Sequence, residues 1–155
     1  MNSIRFLALF ALLFFVPYAL MHFVPLNFAC EAVAGVEAYA LRALGYPVAW
    51  DGVSLAIGET SLFKIIPDCT GLVMVFLFAA LLWAAPLKRP ASRVRELAFY
   101  TPFLLAFNLV RLLATLLAHY HFGPTGFDAV HAALWFADSG VVLWCWSRAS
   151  GVRLL

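Results

Sequence analysis

The chain has 155 residues, of which 65% are hydrophobic and only 12% are charged. A soluble domain of this length cannot bury so much apolar surface, so the composition excludes a soluble globular protein and predicts a membrane protein. The net charge of +2 gives no indication of nucleic-acid binding. Because the chain shows neither an internal repeat nor a low-complexity tract, we expect one membrane domain over residues 1–155.

The apolar segments predict how often the chain crosses the membrane. A spanning helix needs about 20 mostly apolar residues. Four segments meet this requirement, at about 4–25, 69–87, 97–120 and 129–147. The predicted fold is therefore mainly α, a polytopic membrane protein with four transmembrane helices. The first helix is expected to remain as an uncleaved anchor, because its apolar run is longer than that of a signal peptide.

The basic residues predict the orientation, because Lys and Arg beside a spanning helix are retained on the cytoplasmic side. Seven of the ten basic residues flank the predicted helices on one side: Arg5, Lys88, Arg89, Arg93, Arg95, Arg148 and Arg153. Both termini are therefore expected in the cytoplasm, and residues 26–68 and 120–128 on the outer face. The expected location is the cell (inner or cytoplasmic) membrane.

The segment between the first two predicted spans has local structure of its own. Residues 28–44 are Ala-rich and stand between Asn27 and Gly45, which predicts a capped helix lying at the membrane interface. Apolar residues and turns at Asp51–Gly52 and Gly58–Ser61 then predict a small β-hairpin or meander. We interpret the segment as a lid packed on the helix ends, although an exposed strand edge could also hold an extended peptide.

Three polar residues lie in the outer half of the predicted bundle, where each is costly and is by default a functional candidate. Cys69 begins the second span, Arg111 lies within the third, and His131 begins the fourth. A lone Cys is commonly a small buried hydrophobe, and an Arg or His near a helix end commonly reaches the head groups. Arg111, however, lies ~12 Å below its helix end and requires a partner. Asp138 shares a face of the fourth helix with His131 and is the expected partner.

These residue types permit nucleophilic acyl transfer. A helix N-terminus or a neighbouring imidazolium lowers the pKa of a thiol and favours the reactive thiolate. Cys69 meets the first condition, whereas the charge of Asp68 acts against it. His131 could take the thiol proton and return it to a leaving amine, and Arg111 could stabilise the charge on the carbonyl oxygen.

The same residues carry a family resemblance. The segments "DCTGL" at 68–72 and "NLVR" at 108–111, followed by His131 at the start of the last span, resemble the signatures of the exosortase/archaeosortase family. The family is one of polytopic membrane enzymes proposed as cysteine transpeptidases. The resemblance implies that Cys69 is the nucleophile, His131 the acid and base, and Arg111 the electrostatic stabiliser. Asn108 and Thr70 belong to the motifs and would have supporting roles.

The length of the chain adds to this resemblance. It lacks the extra N-terminal spans of the larger family members and is similar to compact, exosortase H-like proteins. His119 and His121 compete with His131 for the role of base. We favour His131, because Asp128 is the expected N-cap of its helix, whereas the other two lie toward a Gly/Pro loop.

The resemblance also implies the reaction partners. The substrate would be an exported protein with a C-terminal motif, a transmembrane helix and a basic tail, processed at the outer face through a thioester. The acceptor, a lipid or glycan amine or water, is left open. No metal or other cofactor is expected, because no cluster of His, Cys and carboxylate ligands is visible.

Two other classes of function remain as alternatives. One is an outer-face thiol oxidoreductase that uses Cys30 and Cys69, although no C-x-x-C motif is present. The other is a membrane scaffold without enzymatic activity, in which the polar residues serve packing. Substituting Cys69 separates the scaffold from both enzymes, and substituting Cys30 separates the oxidoreductase from the transpeptidase.

Overall fold

The computed structural model describes residues 3–58, 61–85 and 90–151. Its elements, in chain order, are α1 (Ser3–Met21), α2 (Asn27–Ala43), β1 (Val48–Asp51), β2 (Ser54–Ile57), β3 (Ser61–Lys64), a 3-10 turn (Pro67–Thr70), α3 (Leu72–Ala84) and α4 (Pro90–Ser150). The prediction of a mainly helical fold with a small antiparallel sheet is confirmed. The orientation prediction depends partly on three basic residues that lie outside the described residues: Lys88, Arg89 and Arg153.

Helix α4 is bent back on itself at one residue. Gly123 has non-helical backbone angles, with φ 67° and ψ −162°, and Pro124 follows it. A positive φ is readily adopted by Gly, and Pro is favoured at the first position of a helix. Contacts between residues on either side of the bend, such as the Phe103 and Trp144 rings at 6.1 Å, show that a first arm (90–122) and a second arm (124–150) pack together.

The bend corrects two predictions. Residues 120–128, expected to form an outer connection, are helical except at Gly123. Asp128 therefore lies inside the second arm, and its predicted role as the N-cap of a helix beginning at residue 129 is wrong. The physical reason is that Gly123 and Pro124 make the turn within two residues, so that the helix restarts earlier than the apolar pattern indicates.

The number of membrane spans is confirmed only in part. Two described helices are long and apolar enough to cross a membrane: α1, and residues 91–150 of α4. Helix α3 is apolar but has only 13 residues, which corresponds to about 20 Å and is shorter than a hydrocarbon core of about 30 Å. The predicted span 69–87 is thus a shorter helix preceded by a 3-10 turn, and the arrangement of four spans remains a prediction.

The segment between α1 and α3 forms the predicted helix and sheet. Helix α2 ends in a Schellman motif, in which Gly45 (φ 87°) donates its N–H to the Arg42 carbonyl and Tyr46 donates to Leu41. The predicted N-cap is wrong, because Asn27 is the first helical residue and follows Leu26, which makes no side-chain cap bond. The strands form one antiparallel sheet in the order β1-β2-β3, with β2 in the centre.

Two apolar clusters form the core, with polar residues between them. The first cluster joins one face of α2 to the sheet and to the first arm of α4 at Leu112 and Leu116. The second joins α3 to both arms, around Phe78, Leu104 and Val142. We call the end with the first cluster the sheet end. The stretch of the first arm between the clusters carries the buried side chains of Asn108 and Arg111.

Candidate active site

The "DCTGL" segment forms the turn that leads from the sheet into α3. Cys69 lies in the 3-10 turn, and its N–H donates to the Ile66 carbonyl at 2.8 Å. Thr70 is buried and donates its hydroxyl to the Pro67 carbonyl at 2.6 Å, while the Leu72 N–H contacts the same hydroxyl oxygen at 3.4 Å. Thr70 thus stabilises the turn from within.

Gly71 and Asn108 hold this turn against the first arm of α4. Gly71 has φ 82°, and a Cβ at this position would lie 3.0 Å from the Cβ of Asn108. Asn108 is 2% exposed and donates its Nδ2 to the Cys69 carbonyl at 2.8 Å. Both the backbone angle and the close approach require Gly, so the two motifs meet directly.

Arg111 and Asp138 form the predicted pair inside the bundle. Arg111 Nη1 donates to Asp138 Oδ2 at 2.8 Å, and the two side chains are 6% and 14% exposed. Among the described residues, Arg111 Nε and Asp138 Oδ1 are buried without a hydrogen-bond partner. The pair therefore keeps one donor and one acceptor that a bound substrate could use.

His131 lies on the second arm in an aromatic cluster. Its ring stacks on Phe127 with centroids 5.3 Å apart, and Phe127 in turn contacts Phe63 of β3. Within the described part of the chain the ring nitrogens of His131 make no hydrogen bond. His119 packs edge-on against Phe63, and His121 lies 2.8 Å from the Tyr46 hydroxyl. Of the three, His121 is therefore the one whose ring nitrogen lies at hydrogen-bond distance from a side chain within the described residues.

Arg111 is electrostatically coupled to both proposed reacting groups. Its positive charge acts on Cys69 and on His131. Burial raises the pKa of the Cys69 thiol, and this effect exceeds the opposing effects of backbone hydrogen bonding at Ile66 and of the Arg111 charge. The charge of Asp68 adds to the increase. The resting thiol is therefore protonated and requires a base.

A contact that the sequence did not predict involves Asp68. Its Oδ2 lies 3.2 Å from Nε2 of His22, the residue that follows α1. The two residues are 46 positions apart in the chain. Nothing in the local pattern around His22 indicates this contact, because His22 stands at the end of an apolar helix.

A cavity of about 390 Å³ lies beside these residues. It is bordered by α1, α3 and both arms of α4, and most of its lining is apolar, including Phe14, Phe15 and Trp135. Its polar lining includes Asp68, Asn108, Arg111 and Asp138. Its volume falls within the range of about 300–1,000 Å³ that is typical of ligand pockets. Among the described residues no group of three metal-ligating side chains is found.

Comparison with known families decides the classification. The sequence model of the transmembrane exosortase family matches residues 3–147. The chain belongs to the transmembrane exosortase family. No curated protein and no solved structure matches it.

For this exosortase, the family match confirms the resemblance recognised in the sequence, and the matched range contains Cys69, Asn108, Arg111, His131 and Asp138. The structure brings Cys69, Thr70 and Asn108 into one hydrogen-bonded unit and pairs Arg111 with Asp138. It places His131 on the neighbouring arm, and Asp128 within that arm without a capping role.

Proposed function

We propose that this exosortase is a membrane cysteine transpeptidase that processes C-terminal sorting signals of exported proteins through a thioester. The observation that carries the proposal is the meeting of the "DCTGL" and "NLVR" motifs. Asn108 of one motif holds the carbonyl of Cys69 in the other at 2.8 Å. The backbone of Cys69 is thus held against the arm of α4 that carries the buried guanidinium of Arg111.

In the first step, Cys69 Sγ attacks the carbonyl carbon of the substrate peptide bond. His131 takes the thiol proton, since burial raises the pKa of the Cys69 thiol and disfavours spontaneous ionisation. Negative charge develops on the carbonyl oxygen, and Arg111 is positioned by Asp138 to stabilise it with its unused Nε donor. Preorganised charge in a site with little water is effective, because it need not reorient during the reaction.

In the second step, the bond between the carbonyl carbon and the peptide nitrogen breaks. The protonated His131 gives its proton to the leaving amine, and the acyl group remains on Cys69 as a thioester. An acceptor amine or water then attacks the thioester carbon, with His131 accepting the proton of the nucleophile. The thiolate leaves and is reprotonated, which restores the enzyme.

The cavity beside the site suits the apolar part of such a substrate. Its aromatic walls come from α1 and from the second arm, and Asp68 and Arg111 stand at its polar part. A substrate helix lying beside the bundle would insert apolar side chains there, and its motif would lie next to Cys69. Because the outer face is the side on which exported proteins are processed, we propose that the sheet end faces the outside of the cell membrane.

The test is co-expression with a tagged protein that carries a C-terminal motif, an apolar helix and a basic tail. Cys69→Ala is expected to abolish processing while the enzyme still inserts into the membrane. Cys145→Ala is the matched control, because it removes a thiol from the other apolar cluster. If Cys69→Ala processes the substrate like the wild type, the proposed function is wrong.

A second candidate is the thiol oxidoreductase, since Cys30 and Cys69 are free thiols that pack in the same apolar cluster. The two functions differ in their requirement for Cys30. Cys30→Ser would abolish a dithiol reaction and leave transpeptidation intact. Retained processing by Cys30→Ser together with its loss in Cys69→Ala supports the transpeptidase, whereas a dithiol oxidation activity that is lost in both variants supports the oxidoreductase.

A further inference from the structure

The contact between His22 and Asp68 joins the end of α1 to the turn that carries Cys69. His22 Nε2 lies 3.2 Å from Asp68 Oδ2, and His22 Nδ1 lies 2.9 Å from the Tyr18 carbonyl oxygen. The Tyr18 and His22 rings also pack edge to face at 5.0 Å. A half-exposed imidazole is thus held in one orientation by contacts on both of its nitrogens.

Both partners of the imidazole are hydrogen-bond acceptors. A carbonyl oxygen and an ionised carboxylate can only accept, so each ring nitrogen must donate. An imidazole that donates from both nitrogens is the protonated imidazolium. In agreement with this geometry, the backbone bond to Tyr18 and then the side-chain bond to Asp68 raise the pKa of His22.

The charge state of Asp68 matters to Cys69, its neighbour in the chain. The negative charge of Asp68 raises the pKa of the Cys69 thiol and opposes formation of the thiolate. A positive charge on His22 compensates that carboxylate. The titratable and charged groups that act on Cys69 and Asp68 come from three helices: Tyr18 and His22 at the end of α1, Cys30 in α2, and Arg111 in the first arm of α4.

We propose that His22 is a positioning residue of this exosortase, whose imidazolium neutralises Asp68 beside the nucleophile and fastens the end of α1 to the nucleophile turn. The role rests on the proposed function, because it acts through Cys69. The role also explains why a carboxylate stands beside the nucleophile. Asp68 anchors α1 to the turn, and the positive charge of His22 offsets the increase that Asp68 causes in the pKa of the Cys69 thiol. The expected consequence is that loss of His22 lowers thiol reactivity only while Asp68 is ionised.

The test measures alkylation of Cys69 by iodoacetamide between pH 6 and pH 9. The protein is purified in a lipid nanodisc, and modification is followed by mass spectrometry of the peptide that contains Cys69. His22→Ala is expected to slow alkylation at pH 7 by about two- to fivefold, the size expected for a partly exposed charge pair. The pH profile of the reaction should move to higher pH. Asp68→Asn should have the opposite effect.

The double variant His22→Ala/Asp68→Asn decides between charge and packing. On the Asp68→Asn background, His22→Ala should no longer alter the profile. His22→Gln keeps a neutral donor toward Asp68 and should still shift the profile of the wild type. The matched control is His121→Ala, because this exposed His contacts the neutral Tyr46 hydroxyl at 2.8 Å and should leave alkylation unchanged.

Two results would overturn the proposal. One is an unchanged profile in His22→Ala, and the other is an equal effect of His22→Ala with and without Asp68. Alkylation does not depend on Cys69 being the nucleophile of a processing reaction. If the alkylation profiles shift as expected but Cys69→Ala still processes the substrate, the proposed function is rejected and the role of the His22–Asp68 pair is retained. The two failures can therefore be told apart.

Discussion

Substituting the buried acid of α2 is expected to remove a large pH dependence of stability. Glu37 is 1% exposed, and within the described residues its Oε2 has no hydrogen-bond partner. It lies on the face of α2 that also carries Cys30, Ala34, Ala38 and Leu41. Burial raises the pKa of Glu37 from 4.5 to about 8. The folded protein therefore holds this carboxyl neutral at pH 7.

The sign and size of the effect follow from proton linkage. Below about pH 4.5 the carboxyl is protonated in both states, so it contributes no pH-dependent penalty. Between pH 4.5 and about 8 only the unfolded or undocked segment releases the proton, so stability falls as the pH rises. Above about pH 8 the full penalty remains. At about 1.4 kcal/mol for each pH unit, it is on the order of 5 kcal/mol.

The measurement is thermal unfolding of the protein in nanodiscs, followed by tryptophan fluorescence between pH 5 and pH 9. The wild-type Tm should fall by roughly 10 °C over this range, and Glu37→Gln should remove most of the fall. Glu31→Gln is the control, because it replaces the same type of carboxyl group on the exposed side of the same helix. Parallel curves for the wild type and Glu37→Gln would refute the reasoning.

Two further substitutions test the ion pair of Asp138 with Arg111 and the close packing of Gly71 on Asn108. Asp138→Asn leaves the charge of Arg111 buried without compensation, so it should lower the free energy of unfolding by about 3–5 kcal/mol and abolish processing; unchanged melting and processing would show that the pair is not needed. Gly71→Ala places a Cβ 3.0 Å from Asn108 at φ 82°, so it should cost at least about 1–2 kcal/mol in the same melting experiment. Gly140→Ala, where a Cβ meets nothing within 4 Å, should instead be neutral or slightly stabilising, and equal losses in both Gly variants would contradict the packing argument.

Several features of the fold could be predicted because they depend on local sequence. The membrane class follows from composition, and α2, its Gly45 terminus and the three strands follow from turn residues and alternation. The pairing of Arg111 with Asp138 was also predicted, because helix geometry sets the depth of each residue in its arm. A buried guanidinium requires a charged or polar partner at similar depth, and few residues of the predicted spans meet this condition.

Other features could not be read from local patterns. The Asp128 cap was predicted from a residue type that commonly starts helices, but Gly123 and Pro124 make the turn earlier. Glu37 looks like a surface acid in sequence, and only the packing of α2 on the sheet buries it. The length of α3 was overestimated, because an apolar run continues through the 3-10 turn that actually holds Cys69.

By itself, the sequence determined that the chain is a membrane protein, which motif residues it carries and which family it resembles, since these depend on composition and short-range order. The tertiary structure determined which groups act on the thiol. Asn108 donates a hydrogen bond to the backbone carbonyl of Cys69, and the positive charge of Arg111 acts on its thiol. His22 pairs with Asp68, whose negative charge opposes formation of the thiolate. Such contacts join distant parts of the chain, and the electrostatic energy of a group depends on distance and burial, which no local pattern encodes.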